Sequence, residues 1–310
     1  MEKSMAHGSQ LDLLLVVEDK EIKNWHKRNL VMNPHHYSRW SKTLGVPFIN
    51  FLQNRPPGLF YHPFVSIPEC DMHFKYGVVS LETAKRDLNH WDNFYLAGRL
   101  QKPVLQIFPN PYIDPSVNLE TSIEYEMIQS SMQTNCLLAF VTALILLQNN
   151  YIQSHLGKEF KTEAENQFNE AEVYRTIAVL SYYGDLRMGV AENPQKINNI
   201  VSKSNLQAFR KLYYPIYSQL ERINIISHNI TPQCPVGEGV IKVLVPIRDL
   251  LEILPESVKP EQRIPDPQKH VLETLSKKNK TFSSKQSYKG LFSAGIGRSI
   301  TYLIHKVKKR

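Results

Sequence analysis

Asp12 is the first residue whose type and setting suggest chemistry. It interrupts Leu11 to Val17, a run otherwise made of leucine and valine. A carboxylate in a buried strand is costly unless it binds a cation or meets a donor. Chemistry on a triphosphate needs such groups to hold Mg²⁺ against phosphate oxygens. The alternative is that Asp12 is an exposed residue at the start of its strand. Glu18 and Asp19 close the same run and read as loop acids.

A second candidate stretch is Ser181-Tyr-Tyr-Gly-Asp-Leu-Arg-Met188. It sets an acid and a base two residues apart, just after a glycine able to end a helix. Asp185 suits a metal, and Arg187 suits a bidentate grip on phosphate. A structural Asp-Arg surface pair explains them as well. Arg99 and Lys102, in Ala97-Gly-Arg-Leu-Gln-Lys-Pro103, can neutralise phosphate oxygens or simply mark a charged helix end. Lys75 sits in a strand-like stretch, where a solvent-facing side chain is the common case. His35 and His36 are adjacent and would point apart on regular structure. No HExxH, GxSxG or P-loop is present, which leaves classical hydrolase and P-loop kinase readings without support.

The elements that must carry these residues follow from periodicity. Leu11 to Val17 reads as a buried strand. Phe60 to Ile67 and His73 to Ser80 read as two more, and Val104 to Phe108 as a fourth. Ser80 caps a helix through Leu81, Ala84, Leu88, Trp91 and Tyr95, with Gly98 as its stop. Asn110 to Ser130 is polar and reads as a loop. Asn135 to Gln148, Glu163 to Tyr182 and Leu206 to Ser227 read as helices, the last broken or kinked by Pro215. Val240 to Pro246 reads as a lone strand, and Pro255 to Pro267, with four prolines, as a linker. The longest nearly unbroken apolar run, Cys136 to Leu147, would rise only about 18 Å as a helix, short of a bilayer's hydrocarbon. No spanning helix is therefore expected. Three scattered cysteines exclude a disulfide framework and a cysteine-based zinc site.

Charge is distributed unevenly. Of a net +8 over 310 residues, residues 269 to 310 supply eleven Lys or Arg and only one acid, Glu273. The globular part is nearly neutral, and a basic tail points to an anionic membrane or a polyanion. Within the tail, Leu291, Phe292, Ile296, Ile300, Leu303, Ile304 and Val307 recur in steps that place most of them along one helical face. Arg298, Lys306, Lys308, Lys309 and Arg310 lie beside or beyond that face. This is the pattern of an interfacial membrane helix. A terminal helix docked on its own domain is the alternative. Few aromatic residues interleave the tail's lysines, which argues against nucleic acid as the partner.

Several strings together resemble a known family. They are Gln-Leu-Asp-Leu-Leu-Leu (10 to 15), Phe-Lys-Tyr-Gly-Val-Val-Ser (74 to 80), Ala-Gly-Arg-Leu-Gln-Lys-Pro-Val (97 to 104) and Ser-Tyr-Tyr-Gly-Asp-Leu-Arg-Met (181 to 188). In this order they are similar to the mitochondrial translocator assembly and maintenance family, whose members are CDP-diacylglycerol synthases. Ser287 to Gly297 is similar too. The resemblance implies an α+β fold. Its parts would be a nucleotidyltransferase-like domain (1 to 125), a mainly helical winged-helix-like domain (126 to 254), and a linker with a basic amphipathic membrane-binding tail (255 to 310). It also implies a Mg²⁺-dependent reaction of CTP with phosphatidate, giving CDP-diacylglycerol and pyrophosphate. The implied place is the matrix face of the mitochondrial inner membrane, where the product feeds cardiolipin synthesis. Asp12 and Asp185 would be the catalytic metal carboxylates, with Arg99, Lys102, Arg187 and Lys75 on phosphate.

One departure matters. Such enzymes cradle the triphosphate on a Gly-Ser turn more than ten residues ahead of the strand carboxylate. Here Gly8-Ser9 stands three residues before Asp12. The expectation is a chain without that phosphate loop. The alternative function is then a catalytically inactive, truncated, membrane-associated scaffold of the same family.

Overall fold

The computed structural model describes residues 11–67, 72–107, 123–152, 166–185 and 195–295. The fold is mixed α+β, and the chain divides into two compact units. The first takes the described residues up to Ala84 together with 281–295. The second takes 85–185 and 195–280. These boundaries cut the chain differently from the three segments read from the sequence.

The first unit is built on a three-stranded sheet of β1 (Leu11–Val17), β2 (Leu59–Ile67) and β3 (Met72–Ser80), in the order β1-β3-β2. β1 runs parallel to β3, and β2 antiparallel to it. The register slips between His62 and Val65, beside Pro63, which has no N–H to offer a ladder. Two helices connect β1 to β2: α1 (Ile22–Met32) and α2 (Arg39–Asn54). They cover one sheet face. Ile22 and Trp25 pack on Val65, Tyr76 and Val78, while Ile49 and Leu52 pack with Phe60 and Tyr37. Neither helix is among those expected from periodicity, because Gly45, Pro47 and paired histidines obscure the apolar spacing.

β1 itself is not the buried strand its composition predicts. It pairs with one strand only among the described residues, and Leu11, Leu15 and Val16 are exposed. Edge position outweighs hydrophobic content here.

The second unit is mainly helical and closes around α5 (Ile123–Leu147), most of which from Cys136 onward is buried. This helix is 25 residues long, twelve residues longer at its start than expected, because its first turns are polar and face outward. By length and hydropathy it suffices to cross a membrane, yet 78% of its apolar window is buried within the protein. Against it pack α6 (Glu170–Leu180) and α8 (Lys203–Arg222), the latter running through Pro215 as one element. Val240–Val243 is not a lone strand. As β6 it pairs antiparallel with both β4 (Gln167–Asn169) and β5 (Ile226–His228). The short helices α7 (Lys196–Ile200) and α9 (Ile247–Ile253) complete the unit.

Three further expectations are corrected. Residues 104–107 form no strand, and Phe108 lies outside the described residues. The proline-rich stretch after Ile253 is no free linker: Leu254 and Val258 are buried in the core. It leads into α10 (Pro267–Ala294), whose Val271, Leu272 and Leu275 belong to the same core. The helix after Ser80 starts where expected, with the Thr83 N–H on the Ser80 hydroxyl at 3.3 Å. It ends early, however, as α3 (Leu81–His90). The buried Asp87 carboxylate collects the backbone N–H groups of Asn93, Phe94, Leu96 and Ala97 at 2.7–3.1 Å. That turns the chain through Trp91 and Phe94, both at positive φ, into the short α4 (Ala97–Leu100).

Candidate functional site

In the first unit, the face opposite α1 and α2 carries Asp12, Lys75, Gly77 and Tyr61. Asp12 pairs in register with Lys75, and Tyr61 with Gly77. Lys75 Nζ stands 3.7 Å from the Asp12 carboxylate and 4.7 Å above the Tyr61 ring. Gly77 makes this arrangement possible. A Cβ there would come within 2.7 Å of the Tyr61 ring, so only glycine lets the ring lie across the strand. The Asp12 side chain is 70% exposed, against 21% for Lys75. The carboxylate is therefore open to a solute cation, and the ammonium has an aromatic face to rest on when one arrives.

In the second unit, the strings around 97–102 and 181–185 come together. Gly98 lies against the Ser181 backbone and side chain, where a Cβ would meet the Ser181 Cβ at 2.8 Å. Lys102 Nζ donates to the Ser181 hydroxyl at 2.6 Å and to the Gly98 carbonyl. It also stands 5.1 Å over the Tyr182 ring, as Lys196 Nζ does. The Arg99 guanidinium stacks 3.7 Å from the Tyr95 ring and donates to the Tyr95 carbonyl. Desolvation pushes the Lys102 pKa well below the usual lysine range, and the neighbouring charges of Arg99 and Lys196 push it further. No ion pair holds Lys102 among the described residues. A desolvated ammonium is a group that an anion would stabilise.

The scaffold around this group is tightly fixed. Gln101 donates to the Ile177 carbonyl at 2.7 Å, Tyr213 to the Gln101 carbonyl at 2.7 Å, and Asn135 to the Ala97 carbonyl at 3.0 Å. Thus α5, α6 and α8 all grip the short segment that carries Arg99 and Lys102. Gly98, expected to end a helix, lies within α4 instead.

Asp185 is buried in the turn that ends α6, its N–H on the Tyr182 carbonyl at 3.0 Å. The preceding Gly184 has φ +79°, and a Cβ there would fall 2.8–2.9 Å from the Ser276 backbone of α10. Asn279 is buried and donates to the Leu180 and Tyr183 carbonyls at 2.7 and 2.9 Å. Arg187 lies outside the described residues, as do Ile296, Ile300, Leu303, Ile304, Lys306, Lys308 and Lys309. Leu291 and Phe292 are described, on α10, and both are exposed.

Asp12 and Lys75 fall in the first unit, and Arg99, Lys102 and Asp185 in the second. Sequence reasoning missed Tyr61 and Lys196. Gly77 inside a strand is the signal that an aromatic ring crosses it. Lys196 has no such signal, since only the fold sets it over Tyr182.

The donor set can be tested against Mg²⁺. Among the described residues no three His, Cys, Asp or Glu side chains stand together as a metal cage. Mg²⁺ rarely asks for one: it commonly takes one or two carboxylates and fills its shell with water and phosphate oxygens. The exposed Asp12 carboxylate fits that lesser role.

Comparison with known proteins shows the family. The sequence profile described as "Phosphatidate cytidylyltransferase, mitochondrial" matches residues 2–260. The chain belongs to this family. Relatives carrying that same description occur in Saccharomyces cerevisiae (32% identical, 96% of this chain, 60% of the relative) and Mus musculus (30% identical, 96% and 83%). A third is from Schizosaccharomyces pombe (31% identical, 99% and 76%). The chain thus spans three-fifths of the budding-yeast member and about four-fifths of the other two. Three of the family-like strings, at 74–80, 97–104 and 181–185, have a glycine whose Cβ would strike a neighbour.

Proposed function

We propose that the chain is a phosphatidate cytidylyltransferase, converting CTP and phosphatidate to CDP-diacylglycerol and pyrophosphate. The observation that carries this reading is the desolvated Lys102 ammonium, which donates to the Ser181 hydroxyl and stands with Lys196 over the Tyr182 ring. It joins two family strings about eighty residues apart into a desolvated receptor for phosphate. Family membership supplies the substrate class. In this reading the first unit is nucleotidyltransferase-like and the second winged-helix-like. The protein works peripherally on the matrix side of the mitochondrial inner membrane, and its product feeds cardiolipin synthesis.

Phosphatidate brings its own nucleophile. Its phosphate is anionic near neutral pH, so no strong general base is required. A phosphatidate oxygen forms a bond to the α-phosphorus of CTP, the bond from that phosphorus to the β-bridging oxygen breaks, and pyrophosphate leaves with the electron pair. The barrier is chiefly repulsion between anions. Lys102, with Arg99 and Lys196, counters it by holding phosphate oxygens where little water screens the charge. Asp12 would hold Mg²⁺, which when bound supplies neutralisation of triphosphate oxygens. Lys75 yields the carboxylate and remains nearby on Tyr61. Asp185 and Arg187 keep the roles the resemblance implies, metal carboxylate and phosphate contact. Catalysis of this kind is positioning and electrostatics.

A second reading is an inactive family member that retains membrane association. It draws on Gly8-Ser9 standing only three residues before Asp12. The separating experiment is CDP-diacylglycerol formation from labelled CTP on phosphatidate liposomes with Mg²⁺. Product that disappears in Lys102→Met supports the first reading. Liposome binding without CTP turnover supports the second.

A further inference from the structure

The outward face of α2 is unusual for a helix at the surface of a soluble unit. Trp40, Leu44 and Phe51 are 57%, 49% and 51% exposed, and Pro47 lies between them. α2 is kinked at Gly45, whose φ is 68° and ψ −162°, so Trp40 and Leu44 stand on its first part and Pro47 and Phe51 on its second, while Ser41, Ile49, Leu52 and Gln53 are buried. The helix therefore has apolar residues on both sides.

Its charge is equally one-sided. From Ile22 to Ile67 the sequence has six Lys or Arg and no Asp or Glu. Arg39 and Lys42 are exposed at the start of α2, and Arg55 follows its end. The Arg55 guanidinium stands 4.4 Å over the Phe51 ring, a cation at the rim of an apolar patch.

Both ends of α2 are fastened to the last turns of α10, within the same unit. The Ser38 hydroxyl donates to the Phe292 carbonyl at 2.7 Å, and Lys289 Nζ donates to the Arg55 carbonyl at 2.9 Å. On those turns Tyr288, Leu291 and Phe292 are exposed. The apolar surface of α2 thus continues onto the last turns of α10.

We propose that this α2 face is a membrane-docking surface, inserting Trp40, Leu44 and Phe51 at the interface of an anionic bilayer. The occupant follows from chemistry. Large aromatic and aliphatic side chains with cations at the rim, in a stretch from Ile22 to Ile67 without Asp or Glu, match a lipid interface, where tryptophan is favoured and anionic headgroups attract Lys and Arg. The proposal shares a membrane location with the reading above. Its readout is tryptophan emission rather than turnover, so the two fail separately.

The test uses the full chain, with vesicles of phosphatidylcholine alone or with added phosphatidate. Trp91 is fully buried and Trp25 partly so, leaving Trp40 as the exposed reporter. The expected result is a blue shift on phosphatidate vesicles, quenched by brominated acyl chains and absent in Trp40→Phe. Leu44→Ser with Phe51→Ser should weaken vesicle binding at least ~10-fold, because two large apolar side chains no longer leave water on binding. Both residues face solvent, so thermal unfolding should be unchanged. Vesicle binding with Trp40 emission unshifted and unquenched would overturn the proposal, assigning binding to the tail alone. Emission already blue without vesicles would overturn it too. The face would then be covered by a second copy if sedimentation reports a dimer, or by the chain's own tail if it reports a monomer.

Discussion

Asp12 and Lys102 are both charged and both sit in family-like strings, yet their surroundings are opposite. Asp12 has 70% of its side chain in water, on a strand paired with one other among the described residues, and its ammonium partner is 3.7 Å away. Lys102 is desolvated, hydrogen-bonded to a hydroxyl and a carbonyl, and neighboured by other cations. An exposed ion pair is worth little, with a median of about 0–1 kcal/mol, and it exchanges readily. A desolvated cation is costly until an anion meets it. The first arrangement suits a group that must release one cation to take another. The second suits a preset receptor. The two units differ accordingly: one presents its chemistry on an open sheet face, and the other grips it between three helices.

The largest effect should come from the receptor. Lys102→Met is expected to lower kcat/KM for CTP by about 10³-fold, within the range for lost preorganised electrostatic contacts. Thermal stability should hold or rise, because an uncompensated ammonium has gone. Steady-state kinetics and calorimetry together check this. The pH profile sharpens it. Lys102 must be protonated to hold phosphate, and its pKa is lowered, so activity should fall as pH rises through that lowered value. In Lys102→Arg that alkaline limb should vanish.

The grip itself is tested by Gly184→Val. Both positive φ and the Ser276 backbone oppose a side chain there, and a loss of about 4 kcal/mol is expected. Chemical denaturation measures it. An unchanged midpoint would mean that the Gly-Asp turn is looser than its contacts imply.

A third prediction asks whether the first unit is open throughout. His26 is fully buried, its ring nitrogens 3.1 Å from the Tyr37 hydroxyl and the Gln53 carbonyl oxygen, and burial lowers its pKa to about 4. Between the unfolded value near 6.5 and about 4, the unfolded chain binds a proton that the folded chain does not. Stability should therefore be full above about pH 6.5 and fall by up to about 3 kcal/mol as pH drops through that window. In His26→Gln this part of the pH dependence should disappear, as melting curves from pH 7 to 4 would show. The interior beneath the sheet is thus closed even where its outer face is open.

Much of this was legible in the sequence, for reasons tied to particular residues. All three strands of the first sheet announce themselves by apolar content, and Ser80 caps the helix it precedes. The strings bearing Lys102 and Asp185 stand out because they set charged residues just after a glycine and are similar to strings of the family. What stayed hidden depends on partners distant in sequence. Asp87 ends α3 by binding four backbone N–H groups, which no periodicity reveals. Leu11, Leu15 and Val16 look like core residues and are exposed, because composition does not tell an edge strand from a central one. The first turns of α5 read as a loop because they are polar, and Lys196 reaches Tyr182 only through the fold.

Asp12→Asn separates an open carboxylate that serves chemistry from one that serves the fold. CDP-diacylglycerol formation from labelled CTP on phosphatidate liposomes with Mg²⁺ would be measured beside the melting temperature. Stability should stay within about 0.5 kcal/mol of the parent, as for an exposed pair, while product formation falls at least ~10²-fold. Product formed at the parental rate, or a large drop in melting temperature, would contradict the account.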